Sequence, residues 1–119
     1  MQRVEKNTPF ISNKINFEVN KSKILPYSEL FLNELYVIMQ NVQNCKIKIT
    51  GHTDNTGEKI LNLKLSKNRA ESIVNYLVKR GIPRNRFITF GYGDTKPIAD
   101  NNNENGKFKN RRVEFEFVK

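Results

Sequence analysis

Residues 45–57, CKIKITGHTDNTG, decide the fold of this chain. The first half alternates lysine with isoleucine, so Ile47 and Ile49 share one side, as in a half-buried β-strand. The polar second half, residues 51–57, carries the only histidine, one acid and two glycines, and a long helical pattern follows it. A strand, a polar loop and a helix in this order are typical of α/β folds, in which ligands collect beyond the carboxyl ends of strands.

The segments on either side of this unit are also regular. Residues 14–19 (KINFEV) alternate as a first strand, with Ile15, Phe17 and Val19 on the buried side. A helix opens at Leu25–Pro26, because proline suits a first helical turn, and its apolar stripe continues to Val42.

The second helical pattern covers residues 58–81 and ends at Gly81, with Pro83 preventing its continuation. Ser66 is a good N-cap for the main part of this helix, which predicts a break near Leu65–Ser66. The side chains of Ala70, Ile73, Val74 and Leu77 form the expected buried stripe.

Two more strands are predicted at residues 86–93 and 111–119, separated by a long loop rich in asparagine. Together the elements predict an α/β (α+β) two-layer sandwich in β-α-β-α-β-β order, with two main helices packed on one face of a four-stranded mixed sheet. Residues 1–12 are expected to form a ragged N-terminal segment, and residues 13–119 one domain.

The composition limits the classes of protein to consider. The chain has 119 residues, which is enough to bury a core without disulfides, and it has a single cysteine. The sequence contains no apolar run near the roughly 20 residues of a membrane span, and its start lacks the apolar core of a signal peptide. The net charge of +9 favours an anionic partner, although the basic residues are scattered and a purely compositional origin stays equally open.

Asp54 and Arg69 are the candidate site residues that the pattern itself indicates. Asp54 lies in the polar loop, and Arg69 borders the apolar face of the following helix, where an unpaired charge is costly. One interpretation is an internal ion pair that pins the loop. The other is a ligand-binding pair for a zwitterion, in which Arg69 holds a carboxylate bidentately and Asp54 holds an ammonium group. The residues alone leave both open.

The remaining polar residues predict no metal site and no catalysis. His52 lacks further metal ligands nearby, and although Ser66 and Thr53 exist, neither is a credible nucleophile. We expect His52 to hydrogen-bond locally or to pad the end of the sheet. Because adjacent strand residues point to opposite faces, one of Arg111 and Arg112 should be solvated and the other should turn towards the helices or the loop end, where an ion pair is the favoured interpretation.

Several separated blocks carry a resemblance to a known family. GHTDNTG (51–57), LNLKLSKNRAESIVNYLVKRGIP (61–83), FGYGDTKPIADN (90–101) and GKFKNRRVEF (106–115) resemble the OmpA-like C-terminal domain family, which includes the peptidoglycan-associated lipoproteins and, more distantly, the flagellar stator B proteins. The resemblance runs from about residue 15 to residue 118.

The resemblance implies non-covalent binding of peptidoglycan in the periplasm, through the diaminopimelate of the stem peptide. In the family, the positions of Asp54 and Arg69 hold this group. Thr53 falls on a loop contact, Leu65 on the apolar lip of the pocket, and Asn62 on a recurrent asparagine that supports the loop. No cofactor, metal or reaction is implied, and the oligomeric state is left unknown. The implied location is the periplasm, with attachment to the outer membrane through a membrane anchor elsewhere in a longer parent chain.

One departure concerns the pocket. Relatives often carry an aromatic residue and then an acid after the first strand, where this chain has Val19 and Asn20. Asn20 keeps hydrogen-bonding capacity but loses the charge. A structural or protein-interaction domain with a degenerate pocket therefore stays the alternative function. A nucleic-acid-binding module would gather its basic residues on one face among aromatics, so no nucleic-acid partner is expected.

Overall fold

The fold was derived from a computed structural model, which describes residues 9–18, 21–42 and 44–118. The strands are Pro9–Asn16 (β1), Lys46–Gly51 (β2), Phe87–Gly91 (β3) and Arg112–Val118 (β4), and the helices are Pro26–Asn41 (α1), Lys59–Lys79 (α2) and Glu104–Asn110 (α3). Among the described residues, no helix combines the length and the apolar character that a membrane span requires.

The sheet has four strands in the order β1-β4-β2-β3. The central strands β4 and β2 are antiparallel, with Ile49 opposite Phe115, whereas β2 and β3 are parallel. The parallel pair requires a crossover connection, which α2 provides. The carboxyl ends of β2 and β3 consequently lie together, at Gly51 and Gly91, and the polar loop leaves the sheet there.

One hydrophobic core joins the sheet to α1 and α2, which confirms the α/β class. The inward residues of β2 and β4 alternate as predicted, and Ile15 and Phe17 join them. The helices contribute a larger apolar set: Phe31, Leu32, Leu35 and Met39 from α1, and Ala70, Ile73, Val74 and Leu77 from α2.

Helix α2 lies unusually close to the end of β2, and this proximity builds the edge where the site forms. A Cβ atom added to Gly51 would lie 1.9 Å from the carbonyl oxygen of Ser66. Gly91, at the end of β3, is also restricted, since its Cβ would lie 2.5 Å from the backbone nitrogen of Lys67. Only glycine permits two backbones to approach in this way.

The predicted break at Leu65–Ser66 is wrong, because α2 is continuous. Ser66 is fully buried inside the helix, and its hydroxyl donates to the carbonyl of Leu63 while accepting from the backbone N–H of Gly93. The hydroxyl therefore joins α2 to the loop after β3, and a capping role is not needed.

The first strand is displaced from its predicted bounds. It begins at Pro9, and Phe17 and Glu18 lie beyond its end, so residues 9–12 belong to the sheet although the sequence placed them in a ragged segment. Pairing with β4 decides this, since residues 9–11 lie opposite Glu116, Phe115 and Glu114. Val19, predicted to face inward, lies outside the described residues.

The predicted order β-α-β-α-β-β lacks a helix that the structure contains. Helix α3 occupies part of the segment predicted as a loop. The side chain of Asn103 accepts a hydrogen bond from the backbone N–H of Gly106 and so caps the helix, and the Cβ position of Gly106 would lie 1.8 Å from the carbonyl oxygen of Asp100. Asn103 and Gly106 are residue types that suggested turns. In the structure Asn103 caps the start of α3, and Gly106 permits a close backbone contact.

Candidate functional site

A narrow cleft, too tight in this structure to admit a water molecule, forms where the loop after β2, the first half of α2 and the end of α3 meet, and it adjoins an open depression of about 340 Å³. The cleft is lined by Thr53, Asp54, Thr56, Asn62, Leu65, Arg69 and Arg111. Five of the six site residues named from the sequence therefore lie together. The sixth, Asn20, lies outside the described residues.

Asp54 is a buried carboxylate held from two sides. Its Oδ1 accepts a hydrogen bond of 2.8 Å from the backbone N–H of Thr56, and its Oδ2 accepts one of 2.7 Å from Nη1 of Arg111. Burial alone would raise the pKa of Asp54, but the hydrogen bonds from Arg111 and Thr56 outweigh it and hold that pKa below its usual value. The cleft therefore contains a fixed, ionised carboxylate at neutral pH.

Arg69 is fully buried, and its partners are backbone carbonyl groups. Nε donates to Lys21, Nη1 to His52 and Nη2 to Glu18, each over 2.9 Å. No carboxylate of the described residues lies within 4.0 Å of this guanidinium. Of the two interpretations that the sequence left open, the internal ion pair between Asp54 and Arg69 is therefore wrong, because Asp54 pairs with Arg111 instead.

Arg69 remains the main source of positive charge at the back of the cleft. Burial, together with the neighbouring guanidinium of Arg111, lowers the pKa of Arg69 to about 10, although Asp54 opposes the shift. The group is thus charged at neutral pH. A guanidinium has five N–H groups, and three of them are engaged by the carbonyls of the described residues.

Arg111 was not among the candidate site residues, but it is the ion-pair partner of Asp54, as expected for the inward one of the two adjacent arginines. It bonds Asp54 and also donates to Glu104, at 2.9 Å, and to the carbonyl of Phe17, at 3.2 Å. The prediction that one of Arg111 and Arg112 is solvated is wrong, since both are buried. Strand alternation fails here because Arg111 lies at the end of α3, just before β4 begins.

Asn62 is a hydrogen-bond donor without a partner. Its side chain is 3% exposed, lines the cleft, and its Nδ2 has no hydrogen-bond partner among the described residues. A buried donor left unpaired costs about 1–3 kcal/mol, so this amide is well placed for a ligand acceptor. Asn62 and Leu65 also border a neighbouring depression lined by Gly57, Glu58 and Leu61.

Thr53 shapes the loop through its own hydroxyl and backbone. Its Oγ1 donates to the carbonyl of Asp54 over 2.8 Å, and its N–H donates to the carbonyl of Gly93. The first bond shapes the loop itself, and the second holds the loop against the segment that follows β3.

His52 lies on the other face of the sheet, beside Thr50 and Glu114. Its ring stacks on that of Tyr92 at 5.9 Å, and its Nε2 lies 3.5 Å from Glu114. Burial is the main reason why the pKa of His52 lies below 6.5. Neither ring nitrogen has a hydrogen bond among the described residues, so the prediction of padding fits better than that of local hydrogen bonding.

Glu114 is expected to make the stability of the fold sensitive to acid. Contact with His52 and hydrogen bonds from Arg112 lower the pKa of Glu114 from 4.5 to about 2. Because the folded value is the lower one, the stabilisation is present above pH 4.5 and is lost as the pH falls towards 2. We expect urea unfolding to show an acid-dependent loss on the order of 2 kcal/mol that Glu114→Gln abolishes.

The control for this prediction is Glu116→Gln. Glu116 lies on the same face of β4, but its cationic neighbour Lys48 is 3.9 Å away. An unchanged acid slope in Glu114→Gln, matching that of Glu116→Gln, would contradict the assignment to Glu114.

Comparison with known proteins gives consistent matches over most of the chain. A family model described as the OmpA family matches residues 16–111. Outer membrane porin F of Pseudomonas fluorescens is 37% identical over 100 residues, which are 84% of this chain and 31% of that protein. Peptidoglycan-binding protein ArfA of Mycobacterium bovis is 36% identical over 101 residues, 85% of this chain and 31% of that protein. The chain spans only about a third of these relatives.

Solved structures show the same fold. The C-terminal domain of Helicobacter pylori MotB superposes with a TM-score of 0.80 at 27% identity, covering 89% of this chain and 85% of that one. The cell wall anchor of the T6SS from Pseudomonas aeruginosa gives a TM-score of 0.75 at 27% identity, with coverages of 93% and 80%.

Proposed function

This chain belongs to the OmpA family, and from that premise we propose that it binds peptidoglycan non-covalently, holding the diaminopimelate of the stem peptide in the cleft at Asp54. Two of the similar proteins are named as a peptidoglycan-binding protein and as a cell wall anchor, which supports the polymer as the ligand class. The proposal for diaminopimelate rests on the chemistry of the cleft.

The observation that carries the proposal is the set of charges in the cleft. Asp54 is the single carboxylate among the described lining residues, against the two guanidinium groups of Arg69 and Arg111. Asp54 and, from outside the lining, Glu104 both pair with Arg111, which leaves Arg69 as the guanidinium without a carboxylate partner among the described residues. A ligand group that brings a carboxylate supplies this partner, and an ammonium on the same carbon would lie against Asp54.

The neutral lining fits the rest of such a ligand. The unpaired Nδ2 of Asn62 supplies a donor for a peptide carbonyl oxygen. Leu65 and the adjacent Leu61 supply apolar contact for the methylene chain of diaminopimelate. Leu61, Asn62 and Leu65 all belong to α2, so the helix positions them before the ligand arrives.

The proposed work of the domain is binding without catalysis. His52 lies on the opposite face of the sheet, and the described residues contain no group of three or more His, Cys, Asp or Glu side chains that could hold a metal. In a periplasmic chain that also carries an outer-membrane anchor, such binding would tie the membrane to the cell wall.

The test is calorimetric titration with a diaminopimelate-containing stem peptide at physiological salt. We expect saturable binding by the wild type and a loss of about a hundredfold in Asp54→Asn, because a charge-assisted contact in a buried cleft is worth about 2–3 kcal/mol. The asparagine can still accept from Thr56 but loses the ion pair with Arg111, so circular dichroism must first show that the variant is folded.

Asp100→Asn is the matched control. It removes the same charge from an exposed position where Oδ1 accepts from the backbone of Asn102, a bond that asparagine can also make. Absence of binding by the folded wild type would reject the proposal and favour the alternative, a structural or protein-interaction domain with a degenerate pocket.

A further inference from the structure

Helix α3 brings a third cation to the cleft. Lys107 and Arg111 are four residues apart, so they share one face of this helix, and Glu104 precedes Lys107 by three residues on the same face. Arg111 reaches Asp54 from this face. Lys107 reaches the same loop, with Nζ 3.3 Å from the hydroxyl of Thr56, which lines the cleft.

Lys107 differs from its neighbours in having no counter-charge. The carboxylates of Asp54 and Glu104 both bond Arg111, at 2.7 and 2.9 Å. Among the described residues, no carboxylate lies within 4.0 Å of the ammonium group of Lys107. An ammonium has three N–H donors, and the bond to Thr56 uses one of them.

Two cations around the cleft therefore have no carboxylate partner among the described residues. Arg69 lies at the back, bound to carbonyls, and Lys107 lies at the rim beside Thr56. One ligand carboxylate can neutralise only one of these separate cations. The half-buried position of Lys107 keeps its charge less screened by solvent than that of an exposed lysine.

We propose that Lys107 is a specificity-determining residue that binds a second carboxylate of the stem peptide, next to the diaminopimelate group. This inference rests on the proposed function, because it assigns one more contact within the same ligand. It predicts that the domain distinguishes a stem peptide whose neighbouring carboxylate is free from one in which that carboxylate is a carboxamide. A purely structural lysine that only holds the hydroxyl of Thr56 would not make this distinction.

The experiment is a cycle of two ligands and three proteins. The ligands are the tripeptide Ala–γ-Glu–diaminopimelate with its glutamate α-carboxylate free, and the same peptide with that group as a carboxamide. The proteins are the wild type, Lys107→Gln and Lys109→Gln. Glutamine is one atom shorter but still offers an N–H donor towards Thr56, so Lys107→Gln removes the charge without removing the donor.

Lys109→Gln is the matched control. It changes the net charge equally, and Lys109 lies two residues further along α3, exposed and on another face. We expect the wild type and Lys109→Gln to prefer the free carboxylate about fivefold, and Lys107→Gln to lose that preference. The preference should also shrink at high salt.

The outcomes separate the two proposals. If the wild type binds both peptides equally, or if Lys107→Gln keeps the full preference, the role of Lys107 is overturned while the proposed function stands. If the folded wild type binds neither peptide, the proposed function fails and the role of Lys107 fails with it.

Discussion

Arg69→Ala is expected to lower the free energy of unfolding by about 3–5 kcal/mol, a large share of the total for a domain of this size. The guanidinium is fully buried and donates to the carbonyls of Glu18, Lys21 and His52. Alanine would leave these acceptors without their donor and a cavity beneath them. Urea unfolding monitored by circular dichroism measures the loss directly.

Two further variants test the cause of this loss. Arg69→Lys keeps the charge, but a single ammonium cannot reproduce the planar fork that spans three carbonyls, so we expect a substantial loss there as well. Arg84→Ala removes an exposed arginine whose ion pair with Glu71 is 3.5 Å long, and should cost no more than about 1 kcal/mol. Equal stability of Arg69→Ala and Arg84→Ala would show that the buried bonds of Arg69 do not hold the fold.

This prediction also affects how the site is tested. Because Arg69 connects the segment before α1 to the end of β2, a variant at this position would lose binding through unfolding, whatever the ligand contacts. Asp54 and Lys107 are better probes, since asparagine can still accept from the backbone of Thr56 and glutamine still offers a donor to its hydroxyl.

Gly51→Ala is expected to cost about 3 kcal/mol or to prevent folding at 37 °C, above the middle of the usual range for overpacking. The new Cβ would lie 1.9 Å from the carbonyl oxygen of Ser66 and 2.8 Å from its carbonyl carbon. Both atoms are helix backbone, so no side-chain rotation relieves the clash and α2 must move away from β2. The thermal midpoint and the urea midpoint should both fall.

Gly57→Ala separates this steric effect from backbone strain. Gly57 has a φ of +87°, but the nearest atom to its added Cβ is 4.0 Å away, at Oδ1 of Asn62. We expect a cost of about 1 kcal/mol there, from the left-handed conformation alone. If Gly57→Ala were as damaging as Gly51→Ala, close packing of α2 on β2 would not be what makes Gly51 necessary.

Local pattern was sufficient for the parts of the fold that are stabilised by local chemistry. The alternation in Lys46–Gly51 predicted β2 and its inward isoleucines, and Pro26 predicted the start of α1. The polar loop and the helix after it were sufficient to place Asp54 and Arg69 at one edge of the sheet, because a crossover helix must begin near the end of the strand that precedes it.

Local pattern failed where the same residues suit two different local structures, or where a partner distant in the sequence decides the role of a side chain. Helix α3 is seven residues long and depends on the cap from Asn103 and on the contact of Gly106 with Asp100. The same asparagine and glycine favour turns in isolation. Local pattern favoured a capping role for Ser66. Its actual role depends on Gly93, 27 residues further along the chain, whose backbone N–H donates to the Ser66 hydroxyl.

The sequence by itself determined the fold class, the family and the position of the candidate site at the end of β2. It also indicated that a carboxylate and an arginine would lie together there. Only the tertiary structure decided which arginine pairs with Asp54. A guanidinium bonds any acceptor within reach, and the fold brings Arg111 to the carboxylate across 57 residues while it surrounds Arg69 with backbone carbonyls. That choice is made by packing, because the distances among these groups do not exist until β1, α2 and α3 have met.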